Sequence, residues 1–139
     1  MNAHLHDLLS ARNMAHLATL MADGSPKVEP VWAVAEGDCI LITTDGKSMK
    51  AVNIARDARV ALSIVSADDP YQQVLVRGEV VETRDDPDMV TLDEMSMRYL
   101  GSPYPRRRWS RRVVFVIEPR IVRSSKTDYE HAAAAARTK

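Results

Sequence analysis

The stretch from Thr43 to Asp57, TTDGKSMKAVNIARD, places two ammonium groups and a hydroxyl where a strand gives way to a helix. Lys47, Ser48 and Lys50 fall around the first helical turn. Cations are ordinarily unfavourable there, because the unpaired N–H groups already carry partial positive charge. Anions, phosphates above all, bind at such ends. The segment therefore reads as a seat for an anionic ligand or, more plainly, as a helix capped by Ser48 with both lysines in water. Its spacing is not GxxxxGK[ST], so it is no P-loop.

A second basic cluster, YPRRRWSRR, sets Arg106, Arg107, Arg108, Arg111 and Arg112 among Tyr104 and Trp109. It has three readings: a nucleic-acid backbone contact, a site for a polyanionic small molecule, or a solvated loop that protects a sheet edge. The acidic stretch at 82–94 offers partners within the chain, and no nucleic-acid partner is expected. Pro30-Val31-Trp32 places an indole beside an interrupted ladder, as the wall for a flat ligand or as ordinary core. His4, His6, His16 and His131 lack zinc spacing, so no metal is expected. Nothing resembles a GxSxG nucleophile elbow, so no catalytic side chain is expected. Met89, Met95 and Met97 suit core or interface packing.

The elements that must position these groups follow from the patterning. Leu5, Leu8 and Leu9 mark a short amphipathic helix over 3–12. MAHLATLM and KVEPVWAVA flank the Asp23-Gly24 turn, a strong hairpin signal, and Pro30 points to a sheet edge or a bulge. A turn at EGD leads into CILITT, completing a three-stranded meander. Ala51, Ile54 and Ala55 give the next helix one buried face. RVALSIV suits a buried strand, and YQQVLVRGEVVETR is long enough to bend, with Gly78 as the bulge. Asp86 is placed as the N-cap of a third helix with Pro87 at its first position and Gly101 closing it. RRVVFVIEPRIVR is the last strand. One domain over 1–123 and a tail over 124–139, a loosely attached helix or disordered, are expected.

At 139 residues with 45% hydrophobic side chains, the chain builds a small core. Domains near this size bury about two-thirds of their unfolded surface, so a homodimer is a natural supplement. The 19 basic and 19 acidic side chains cancel, which weakens any whole-protein case for nucleic acid or an anionic membrane. Cys39 alone builds no disulfide framework and is expected to be a buried thiol. With no apolar run near ~20 residues and no signal-peptide pattern, a soluble cytoplasmic protein is expected. The strand order argues for a small barrel rather than a parallel sheet.

Three segments, HLATLMADGSPKVEPVWAVAEGDCILITT, KSMKAVNIARDARVALSIV and YQQVLVRGEVVE, together resemble the flavin and deazaflavin oxidoreductases of the pyridoxamine-5′-phosphate-oxidase-like superfamily. The branch that uses coenzyme F420 is the most similar. The resemblance spans about residues 8–123. Its motifs, ATLxxDGxPxxxPVW, T-x5-K-x2-N, D-x-RVAL and V-x-VRGxV, are soft singly and specific in their order and spacing. It implies a mainly β (α+β) fold, a six-stranded antiparallel split β-barrel with peripheral helices, homodimeric with cofactor at the interface.

The same resemblance implies the site. The phosphate-binding step falls on Thr44, Lys47, Ser48 and Lys50, with Asn53 one turn on. Lys27, Pro30, Val31 and Trp32 lie along the tricyclic ring, and Ile42 and Thr43 offer backbone groups to its edge. Pro30 replaces a polar residue of some relatives. Met49 stands where the oxidase branch has a second basic residue, so the FMN clamp is incomplete and coenzyme F420 is favoured, with FMN the alternative. The implied activity is hydride transfer between the deazaflavin and a small conjugated or heteroaromatic molecule. The cofactor supplies the difficult chemistry, and solvent, Tyr104 or another nearby group supplies a proton. Arg106–Arg108 are placed to meet the cofactor's acidic tail. A carrier that binds F420 or FMN without turnover remains the rival.

Overall fold

A computed structural model describes residues 1–126. The elements run α1 (Ala3–Leu9), β1 (Ala15–Leu20), β2 (Pro26–Val31), β3 (Val34–Glu36), β4 (Cys39–Asp45), α2 (Met49–Arg56), β5 (Arg59–Val65), β6 (Gln72–Asp85), α3 (Val90–Tyr99) and β7 (Arg112–Lys126). All pairings are antiparallel, in the order β2-β1-β5-β6-β7-β4-β3.

Alternation dictates which side chains go inside. Ala15, Leu17 and Thr19 of β1 turn inward while His16 faces out, the period-2 rule of a half-buried strand. Residues 113–117 of β7 break that alternation and are all buried. Val113, Phe115 and Ile117 join the main core, and Val114 and Val116 pack with Leu41 and Met95 beneath α3. Covering both faces produces the continuous apolar run seen in the sequence. Each such side chain contributes roughly 1.5–3 kcal/mol when fully buried.

Gly78 works as expected. The β6–β7 register shifts between Arg77 and Gly78, and a Cβ there would lie 2.4 Å from the Glu118 carbonyl oxygen. The Asp23-Gly24 hairpin also forms, with Gly24 at φ 84°. Pro30 lies on β2, at one edge of the sheet, the position in a sheet that tolerates proline.

Four expectations need correction. KVEPVWAVA is not one strand: it breaks at Trp32-Ala33, so β2 pairs β1 at one edge while β3 pairs β4 at the other. Among the described residues the count is thus seven strands rather than six, and the meander is divided. The Tyr99 hydroxyl pins the break, lying 2.7 Å from the Asn13 carbonyl oxygen, 3.1 Å from that of Ala33 and 3.3 Å from the Ala33 nitrogen. Burial raises the pKa of this phenol, which keeps it a donor.

The third helix opens at Val90, later than the Asp86–Pro87 start read from the sequence. Met89 adopts φ 60° at its cap, and buried Asp86 still accepts bonds from the Thr91 and Leu92 nitrogens at 3.3 and 3.1 Å. Its carboxylate therefore caps from outside the helix, across a turn. Cys39 is half-buried, at the start of β4. The last strand continues through Lys126, beyond the Arg123 end of RRVVFVIEPRIVR. The remainder of the expected tail lies outside the described residues.

Candidate functional site

A cleft of about 440 Å³ opens between the strand-to-helix step and the loop that precedes β7. The step itself is built locally. Ser48, at φ −64° and ψ 157°, is the N-cap of α2. Its Oγ accepts from the Ala51 nitrogen at 3.3 Å and from the Thr44 hydroxyl at 2.9 Å. The expected cap is thus present, and the hydroxyl of Thr44 orients it. By the geometry of any helix start, the N–H groups next to the cap remain open to a ligand.

Asp45 and Gly46 tie the step to the loop. The Asp45 carboxylate accepts from the Ser110 hydroxyl at 2.5 Å, the Ser110 nitrogen at 3.1 Å and the Lys47 nitrogen at 2.8 Å. Those bonds, Ser110's first, hold its carboxyl below the usual carboxylate range. The Gly46 nitrogen donates to the Arg111 carbonyl at 2.6 Å.

Lys50 is 18% exposed and lies 2.5 Å from Glu29 Oε1, while Lys27 reaches Oε2 of the same carboxylate. Burial raises the Glu29 pKa, but the hydrogen bonds from Lys27 and Lys50 outweigh it, so the group titrates below its ordinary value. The three charges sum to one positive, presented by Lys50 at the cleft. Glu29 escaped the sequence reading. The i, i+2 spacing of Lys27 and Glu29 on one face of β2 was a signal for that pair, whereas Lys50 reaches Glu29 only through the fold.

The opposite wall is aromatic. Trp32 stacks on Tyr99 at 5.1 Å with 8° between planes and meets Tyr104 edge-on at 5.7 Å. Tyr104 stacks on Trp109 at 5.8 Å. The guanidinium groups of Arg106 and Arg112 lie 4.2 and 4.3 Å from the Trp109 centroid. Met14 and Leu92 complete the lining.

Of the residues singled out from sequence, Pro30, Val31, Trp32, Thr43, Thr44, Ser48 and Lys50 come together in this cleft. Four do not line it. Ile42 points into the core. Lys47 is exposed. Lys27 is engaged with Glu29. Asn53 is 0% exposed and holds α2 to β1 by donating to Thr19 Oγ1 at 3.0 Å and accepting from Arg56 at 2.7 Å.

The arginine cluster divides. Arg107 pairs with Asp93 at 2.7 Å and Arg111 with Asp85 at 2.8 Å, which is the pairing within the chain that the acidic stretch offered. Arg106 and Arg112 turn to the cleft. Among the described residues no group of three or more His, Cys, Asp or Glu is arranged to hold a metal ion. No helix among them is long and apolar enough to cross a membrane.

An antiparallel sheet with peripheral helices and a cleft at a strand-to-helix step is the architecture of the split-barrel class. The chain belongs to the pyridoxamine 5′-phosphate oxidase family, whose model matches residues 1–126. Among solved structures it is similar to an F420 reductase, at 30% identity over 85% of this chain and 94% of that one, with a TM-score of 0.77. It is also similar to the conserved hypothetical protein Rv2991 from Mycobacterium tuberculosis, at 27% identity over 91% and 84% of the two chains, TM-score 0.73. A heme binding protein from Mycobacterium smegmatis shares the fold at 20% identity, over 93% of this chain and 56% of that one, TM-score 0.68. No curated protein sequence matches the chain significantly.

Proposed function

We propose that this chain is a coenzyme F420-dependent oxidoreductase that transfers a hydride between the deazaflavin and a small conjugated or heteroaromatic molecule, acting as a cytoplasmic homodimer. The observation that carries the reading is the cleft itself. A capped helix N-terminus with Lys50 faces a flat aromatic wall, in a chain 30% identical to an F420 reductase.

The residues fit such a cofactor. Ser48, the open N–H groups of α2 and Lys50 suit a phosphate, and Val31 and Trp32 present an apolar flank to a tricyclic ring. Once bound, the deazaflavin supplies two-electron hydride chemistry. The protein then needs to hold the acceptor beside the ring, which falls to Trp32, Tyr104 and Trp109. Met14 and Leu92 keep water from that face. Tyr104 and solvent are the proton sources the cleft offers.

FMN is the second reading, disfavoured by Met49: this side chain is exposed and brings no charge to the step. Titration of purified protein with F420 and with FMN, each followed by fluorescence, tests the choice. Tight F420 binding with none for FMN is expected, and a protein purified yellow with bound FMN refutes it. Hydride transfer to a panel of conjugated acceptors then separates enzyme from carrier. The homodimer draws support from the outward face of β2, β1, β5 and β6, where Val28 and Leu75 are exposed beside Ala18 and Ala61. Val28→Asp is expected to shift the mass in solution from dimer to monomer.

A further inference from the structure

Arg112 is a cation that the phosphate seat does not use. It is only 7% exposed, and it lines the cleft. Its Nη2 donates to Thr43 Oγ1 at 2.5 Å, and one guanidinium face lies against Trp109. Its Nε is buried with no hydrogen-bond partner among the described residues. Asp45 and Asp86 act on it through space, but their carboxylates are taken by Ser110 and Lys47 and by Thr91 and Leu92. Burial lowers its pKa, yet an arginine stays charged at neutral pH. A buried cation with an unpaired Nε and no ion pair among the described residues is costly to keep. An incoming anion removes that cost.

The surroundings define which anion. Trp109 covers one face of the guanidinium, so the ligand approaches in the plane of its fork, the geometry that suits a carboxylate. Beside it stand the rings of Tyr104 and Trp32, an aromatic lining that favours a planar ligand. A phosphate has its own seat at Ser48 and Lys50. We propose that Arg112 is a substrate-recognition residue, and that with Thr43 and Trp109 it receives the carboxylate of a planar aromatic or conjugated acid. The inference rests on the oxidoreductase reading in taking this acid as the hydride acceptor; the binding point itself requires no cofactor.

The test uses 2-naphthoate and its neutral analogue 2-naphthamide, titrated calorimetrically into the full chain. Quenching of Trp32 and Trp109, the two tryptophans of the sequence, gives a second readout. Wild type is expected to bind the acid at least tenfold tighter than the amide. Arg112→Met, folded by circular dichroism, is expected to lose that preference. Arg112→Lys keeps the charge without the fork, and is expected to lose at least fivefold of it; this variant decides if the first fails to fold. Lys50→Ala is expected to weaken naphthoate by less than threefold.

Equal affinity of wild type for acid and amide, or binding of neither, overturns the proposal. So does a preference that survives both Arg112 variants, or one that Lys50→Ala abolishes. Competition between naphthoate and saturating F420 or FMN also overturns it, by assigning Arg112 to the cofactor. If neither cofactor binds while the naphthoate preference holds and depends on Arg112, the oxidoreductase reading fails and the carboxylate site stands.

Discussion

Lys50→Ala is the most direct perturbation of the proposed anion seat. Lys27, Glu29 and Lys50 together carry one net positive charge, and removing the Lys50 ammonium takes that sum to zero. A hydrogen bond to a charged group is worth about 1.5–3 kcal/mol. The lower end applies here for two reasons: Lys50 keeps 18% of its side chain in solvent, and in the free protein it already has Glu29 as a partner at 2.5 Å. A loss of about 1.5 kcal/mol corresponds to roughly tenfold weaker cofactor binding. Glu29→Gln should act in the opposite direction. It releases Lys50 from its carboxylate, raises the local charge by one, and tightens the cofactor several-fold. Both effects shrink as salt screens the exposed part of the site. Fluorescence titration of wild type, each single variant and the double variant measures the coupling. Lys47→Ala is the comparator, expected within about twofold because an exposed lysine gains little. The reasoning is refuted if Lys50→Ala binds within twofold of wild type, or if Glu29→Gln weakens the cofactor as much as Lys50→Ala does.

Three further outcomes follow from the fold. Asn53→Ala strips the buried tie between α2 and β1 and leaves Thr19 without its donor; chemical denaturation should show a loss of about 1–3 kcal/mol. Gly78→Ala forces a methyl against the Glu118 carbonyl, and overpacking of about 1–3 kcal/mol should lower the melting temperature, while an unchanged midpoint refutes the bulge constraint. The third concerns pH. Glu29 titrates below its ordinary value of 4.5, so its contribution to stability is present above that value and fades as pH falls through the folded-state pKa. Glu29→Gln should flatten the pH dependence of stability in that acidic range and leave it unchanged at neutral pH.

Much of this protein was legible in the residues. Asp23-Gly24, Pro30, Gly78 and Gly101 are local instructions, since backbone sterics act on one or two residues at a time, and each sits where its chemistry demands. Ser48 declared itself as a cap for the same reason. Alternating and continuous apolar runs sorted the strands, because side-chain direction is fixed by strand period.

Tertiary structure decided the rest. The run KVEPVWAVA carries no mark of its break at Trp32-Ala33. The break arises because β2 and β3 find partners at opposite edges of the sheet, with the Tyr99 hydroxyl satisfying the exposed backbone. Lys50 was visible as a cation, but its pairing with Glu29 spans two strands and a helix. The arginine cluster was visible as charge. Only the fold sends Arg107 and Arg111 to carboxylates and buries Arg112 against Trp109 with a donor left open. Sequence specifies what depends on near neighbours and periodicity. The pairing of charges distant along the chain is set by which elements share a sheet, and that is where this site acquires its chemistry.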